Sequence, residues 1–522
     1  MLLPAGLCLL LFGTRAFSFS TDESFSELLH LRSLPDGKVY ARFAFTTVLS
    51  DAEPRRPETL ADEDDSQHYT LFPLPLGQLL RAHAITELHL NLNAGKWDYD
   101  SWGHPDDESV GSGAELWVWM AEGGHVSTDQ RWKDLANGLS GLFCASLGGL
   151  DHKRTTRPQF AFQPEGDLPN NSTYQLLHAF LPSESVCTEN LTPFLKLLPC
   201  KSRSGIASLL NPHRLFDANY HGIGMHVVWK EKTGVELTLT FGAVMDPVRA
   251  LESKKKRDWS FSSLFGRTIP HACPVASASR IEVDLPNAPY HISPEPLLVH
   301  GPQIAIYDLS QPFGSVDVSL YWPLESQFQP VPITPTSSVS ARRVLTGGSQ
   351  SQGGILYTFT NRLNKTQEIV CVESAPWFID YFLNTRKVTV NGIEKDDVIL
   401  CTAYTLPKSH HPTLIETVLQ LPPTSTTVIH IAFSKSFIAY TEHPPDAERG
   451  WDLPPAVISF RLSDEGVAPE RRIYTRNLLI DLPTPDFSMP YNVIIMSSTV
   501  VALFFGSIFN LLTRKFVWVK TG

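Results

Sequence analysis

Leu478-Leu-Ile-Asp-Leu-Pro-Thr-Pro-Asp-Phe-Ser-Met-Pro-Tyr-Asn-Val493 leads into a largely apolar run, Val493 to Leu512, closed by Thr513-Arg-Lys515. The run holds no charged side chain and no proline. At about 1.5 Å per residue a helix of this length spans about 30 Å, the thickness of a bilayer's hydrocarbon core. A helix buried in a soluble core would carry a polar stripe, and here the apolar residues run all round. The spacing therefore predicts a transmembrane helix over 493–512. Arg514, Lys515 and Lys520 follow it, and Asp486 is the nearest charge before it. The positive-inside bias then places the tail, 513–522, in the cytosol and the rest of the chain in the lumen or outside the cell.

The other end agrees. Met1 to Phe12 is almost wholly apolar yet too short to span, and Gly13-Thr-Arg-Ala-Phe-Ser18 follows with small residues. This predicts a secretory signal peptide over 1–17 and a type I membrane protein. About 470 residues lie between the two apolar segments, too many for one core. Forty prolines, 10% aromatics and many short Val/Thr/Phe/Tyr runs point to β-sheet with long loops. The fold expected is mainly β: sandwich-like lumenal domains with a few helices and one C-terminal span.

The chain divides accordingly. An N-terminal β-rich domain is expected over 18–300, with a helix near 128–146, and a second β-sandwich domain over 301–480. A juxtamembrane segment, 481–492, precedes the span. Val39, Ala41, Phe43 and Phe45 alternate with more polar neighbours, a strand pattern. Ser127 and Gln130 have the spacing of a capping box before Trp132, Leu135, Ala136, Leu139 and Phe143 at helical intervals. Trp97, Trp102, Trp117 and Trp119 read as sheet core in preference to a ligand platform. Pro330 to Gly354, rich in Pro, Ser, Thr and Gly, reads as a linker or long loop.

A formal net charge of −11 argues against a nucleic-acid binder. Removal of Cys8 with the signal peptide leaves Cys144, Cys187, Cys200, Cys273, Cys371 and Cys401 as lumenal disulfide candidates, whose pairing spacing does not decide. Neither a cysteine nor a histidine pair accompanies Cys187 and Cys200, which speaks against zinc. Sequons stand at Asn170, Asn171, Asn190 and Asn364, and Pro193 works against use of the third. The chain has no His-Glu-x-x-His, Gly-x-Ser-x-Gly, P-loop or dinucleotide-binding motif. No catalytic residue, metal or cofactor is expected. On these grounds alone a cell-surface adhesion or receptor ectodomain fits as well, and a lumenal hydrolase less so.

Specific blocks narrow the choice. Leu482-Pro-Thr-Pro-Asp-Phe-Ser-Met-Pro-Tyr-Asn-Val-Ile494 and Asn510-Leu-Leu-Thr-Arg514 resemble the C-terminal signature of the PIG-T family, subunits of the glycosylphosphatidylinositol (GPI) transamidase. Gly113-Ala-Glu-Leu-Trp-Val-Trp119, Leu139-Ser-Gly-Leu-Phe-Cys-Ala-Ser-Leu147, Cys187-Thr-Glu-Asn-Leu-Thr-Pro193 and Leu197-Leu-Pro-Cys200 are similar to further blocks of that family. So are Asp258-Trp-Ser260, Cys273-Pro-Val-Ala-Ser277, Ile306-Tyr-Asp-Leu309 and Tyr440-Thr-Glu442, in the family's order. The resemblance implies a non-catalytic subunit in the endoplasmic reticulum membrane. Its partners would be a caspase-like catalytic subunit that carries the nucleophilic cysteine and histidine, other membrane subunits, and the GPI lipid. It further implies that Cys187 forms a disulfide with the catalytic subunit, the alternative being an internal Cys187–Cys200 bridge. Asp486, Ser488 and Asn492 lie at head-group depth before the span, with Tyr491 as an interfacial aromatic. They are expected either to help position the GPI lipid head or to form an ordinary stiff linker, held extended by Pro483, Pro485 and Pro490.

Overall fold

Strand Val39–Leu49 runs through the largest sheet of the protein, and its Val39, Ala41, Phe43 and Phe45 are at most 1% exposed, as the alternation predicts. The computed structural model describes residues 23–522 except 64–66, 171, 250–254, 301–302, 311–313, 330–334, 407–409, 444–448, 462–470, 484–487 and 517. The expected signal peptide, 1–17, lies outside the described residues.

Eleven strands make up that sheet. It runs from the edge strand Leu298–His300 through Ile304–Asp308, Ala278–Asp284, Glu23–Ser33 and Val39–Leu49 to Gly234–Met245. It continues through Tyr220–Lys230, Ile85–Gly95, Gly113–Ala121 and Tyr174–Leu181 to Thr155–Thr156. Neighbours are antiparallel except Glu23–Ser33 and Ala278–Asp284, which run parallel. Helices Leu74–Ala82, Thr128–Phe143 and Thr188–Leu197 cover one face, where Phe43, Leu90, Leu135, Leu139 and Phe194 share a core. The helix after Ser127 begins with half of the expected capping box. Ser127 Oγ accepts from the Gln130 N–H at 3.3 Å, but the Gln130 amide turns forward to Asp134 at 2.9 Å.

The second half is a sandwich of two five-stranded sheets. One contains Val339–Thr346, Gln352–Asn361, Ser425–Lys435, Ile379–Val390 and Ile393–Glu394. The other contains Ile399–Thr405, Thr413–Leu421, Gln367–Ala375, Val457–Phe460 and Arg472–Tyr474. Ile355, Phe359, Ile369, Ile415, Leu419 and Ile431 fill the space between them. The strands of the N-terminal half continue past residue 300, and the first strand of the sandwich is Val339–Thr346. Ile304–Asp308 still pairs in the large sheet, and Ser319–Tyr321 pairs with His291–Ser293.

Part of the stretch expected to be a linker is a strand. Val339–Thr346 pairs along its length with Gln352–Asn361. Its Arg343 is fully buried and donates from Nη1 to both carboxylate oxygens of Glu373, at 2.7 and 2.8 Å, and from Nη2 to Arg476 O at 3.1 Å. A charged side chain in a Ser- and Thr-rich run reads as solvent-facing, and only a carboxylate 30 residues later makes it a core residue.

Helix Ser488–Thr513 ends the architecture. Its Tyr491–Thr513 portion, 23 residues with a mean hydropathy of 1.9 over 18 consecutive ones, is long and apolar enough to cross a membrane.

Replacing Glu373 by Leu strands the Arg343 guanidinium in a dry core, and the expected cost is about 3–5 kcal/mol. It is read as a lower midpoint of chemical unfolding of the chain, with most of the loss recovered in the Arg343→Met/Glu373→Leu double variant. An unchanged midpoint in the single variant contradicts a buried pair.

Candidate functional site

Helix Thr188–Leu197 is fixed to the large sheet by Leu191, Phe194 and Leu197 on its buried face, and Cys187 is its N-cap. Asn190 builds this corner. Its Oδ1 accepts from the Cys187 N–H at 2.6 Å, and its Nδ2 donates to Phe143 O at 2.8 Å and Cys144 O at 3.2 Å. One buried amide thus ties the start of this helix to the end of Thr128–Phe143. That end is made by Cys144 in the left-handed conformation (φ 53°). Cys187 and Cys144 are both exposed and both free thiols.

The internal Cys187–Cys200 bridge is not formed. Cys200 is bonded instead to Cys273, with their Cα atoms 5.9 Å apart. This bond staples the segment after the helix to the segment before strand Ala278–Asp284. Cys401 is exposed and free; Cys371 is buried, and burial pushes its thiol well above the usual range, away from the reactive thiolate.

The sequons separate by burial. Asn170 and Asn364 are exposed, and Asn171 lies outside the described residues. Asn190 is 1% exposed with its amide nitrogen committed to two carbonyls, so a glycan there and this helix start exclude each other. Of the residues expected to meet the lipid head, Asp486 lies outside the described residues. Ser488 opens the last helix and Asn492 is exposed one turn along it.

The structure adds a site that the sequence reading missed, at the junction of the two halves. The outer face of the sandwich packs Val370, Val372, Leu414, Val418 and Val457 against Trp117, Leu176 and Phe180 of the large sheet and against Trp97 and Trp102, which follow strand Ile85–Gly95. Beside this apolar seam lies a cleft of about 770 Å³, lined by Arg42, Asp107, Glu108, Glu165, His226 and Arg472 among others. Buried charges bridge the seam. Arg472 of the sandwich lies over the rings of Trp117 and Phe162, 4.9 Å from each centroid, and donates to Glu165 at 3.3 Å. Glu108 accepts from the Arg472 N–H at 3.0 Å, and burial pushes its carboxyl up to about 7. His89 stacks on Trp117 at 3.8 Å and meets His226 at 2.9 Å between Nδ1 atoms. Burial holds His226 down at about 4 and therefore neutral.

These groups compensate one another across the seam, so the arrangement locks two modules together. Among the described residues no group of three or more His, Cys, Asp and Glu is disposed to hold a metal. Glycopeptide mapping is expected to find glycans on Asn170 and Asn364 and none on Asn190; an occupied Asn190 contradicts the cap geometry.

Comparison with known proteins places these features in a lineage. A family profile described as "Gpi16 subunit, GPI transamidase component" matches residues 9–522. The human GPI-anchor transamidase component PIGT is 35% identical over 98% of this chain and 94% of its own. The PIG-T homolog of Schizosaccharomyces pombe is 34% identical over 98% and 94%. The Saccharomyces cerevisiae component GPI16 is 31% identical over 95% and 89%. The chain belongs to this family of GPI transamidase components.

Proposed function

We propose that this chain is a non-catalytic scaffold subunit of GPI transamidase in the endoplasmic reticulum membrane. The bulk of it would lie in the lumen, and helix Ser488–Thr513 would anchor it. The observation that carries the proposal is the match to transamidase components over residues 9–522. The structure supports a scaffold in two ways. The buried junction joins two modules into one unit, and the helix start at Cys187 offers an exposed thiol on a fixed backbone.

In this reading the transamidase removes a C-terminal signal from a proprotein and joins the new carboxyl end to the ethanolamine of a GPI lipid. The cysteine and histidine that do so belong to a caspase-like partner subunit. Cys187 holds that subunit by a disulfide, which leaves it free of Cys200. A disulfide fixes the partner's distance from this chain, and through the terminal helix its height above the bilayer. Asp486, Ser488 and Asn492 would hydrogen-bond the lipid head, with the Asp486 carboxylate paired to an ammonium group.

The test is a pull-down of the full chain from membranes, resolved on non-reducing and reducing gels, with Cys187→Ser alongside wild type. The expected result is a covalent partner of caspase-like size that disappears on reduction and in the variant. The transamidase reading fails if the chain is recovered as a solitary glycoprotein of the cell surface. A complex without the covalent band removes Cys187 from its role.

A further inference from the structure

The terminal helix leaves the sandwich from one end, and hydrogen bonds define that end. Lys435 donates from Nζ to Asp481 O at 3.1 Å, just before the chain departs. Lys435 pairs with Ile379, whose carbonyl accepts from Thr413 Oγ1 at 3.4 Å, and the neighbouring Leu414 pairs with Thr405. The loops that follow Lys435 and Thr405, and strand Leu478–Ile480, therefore share this end of the module. Each presents a large apolar side chain to solvent: Phe437 is 69% exposed, Leu406 64% and Leu479 47%. Soluble surfaces scatter such residues singly, and three at one end ask for a partner.

We propose that this end of the sandwich rests on the lipid surface, with Phe437 and Leu406 entering the boundary between head groups and acyl chains. The inference deepens the proposed function, since it rests on the terminal helix crossing the membrane. Chain length carries it. Leu482 is 4% exposed, fixed in the sandwich core, and helix Ser488–Thr513 begins shortly after it. The chain from Leu482 to Ser488 reaches at most about 20 Å even when fully extended. With Tyr491 at the interface, the sandwich cannot stand off the bilayer by more than the depth of a head-group layer and a short gap. The end held there is the one with the exposed aromatic and leucines. Burial of their apolar surface in lipid would press the module down and fix its tilt.

Photo-crosslinking in membranes from cells expressing the full chain tests this. p-Benzoylphenylalanine is placed in turn at Phe437, Leu406, Val500 within the helix, and Ile393. Ile393 is 72% exposed but lies at the far end of strand Ile379–Val390, about 26 Å away along the sheet as the paired strand runs from Lys435 to Thr427. The expected result is a phospholipid mass shift on the peptides carrying positions 437, 406 and 500, and none at 393. A lipid adduct at 500 with none at 437 and 406, or a protein adduct at 437 in its place, overturns lipid docking and leaves the span standing. An adduct at 393 equal to that at 437 also overturns it, because contact would then be indiscriminate. No lipid adduct at 500 overturns the membrane span itself, and this inference with it.

Discussion

Strand Thr413–Leu421 has to be covered on both faces, and the rest of the molecule is arranged to do so. Ile415 and Leu419 face the sandwich core, whereas Leu414 and Val418 face the large sheet. Between them on the outer face stands Glu416, 1% exposed. Its carboxylate accepts the backbone N–H groups of Gln159, Phe160 and Ala161 at 2.7, 3.0 and 3.3 Å. Glu87 of the large sheet repeats the device on the same segment, accepting from Glu165 at 3.0 Å and Gly166 at 2.8 Å. A segment with little regular structure thereby lies between two sheets with five of its amides bonded to buried carboxylates. A buried carboxylate is costly unless fully bonded, so each acid specifies one docking of the two halves.

Much of the fold was legible because it follows local periodicity. The alternation in Val39–Leu49, the Ser127 cap and the apolar run after Val493 each need only a few residues of context. What was illegible depends on contacts far apart in sequence. Glu87, His89, Asn91 and Asn93 alternate with Leu88, Leu90 and Leu92, a pattern that reads as a solvated face. All four polar residues are at most 3% exposed, and their partners come from distant parts of the same half: Glu87 accepts from Glu165 and Gly166, and Asn93 donates to the Ser109 and Gly111 carbonyls. Arg343 misled in the same way. Its partner Glu373 lies on another strand, so Val339–Thr346 looked like part of a linker.

The site had a similar division. Resemblance singled out Cys187; the fold makes it an exposed residue at a helix start held by the buried Asn190 amide. The Cys200–Cys273 bond could not be read from spacing, because its closeness is created by the packing of segments 73 residues apart. Asn190 carries the opposite lesson. Its sequon is visible in sequence, and its burial is visible only in the fold.

The central claim is that the chain serves as a structural component without which the transamidase does not work. It is tested most directly in cells deprived of their own component, by measuring a GPI-anchored reporter at the cell surface before and after this chain is supplied. The account expects the reporter to vanish on depletion and return with the chain, together with co-sedimentation of the remaining subunits. A reporter that reaches the surface undiminished in the depleted cells would contradict it.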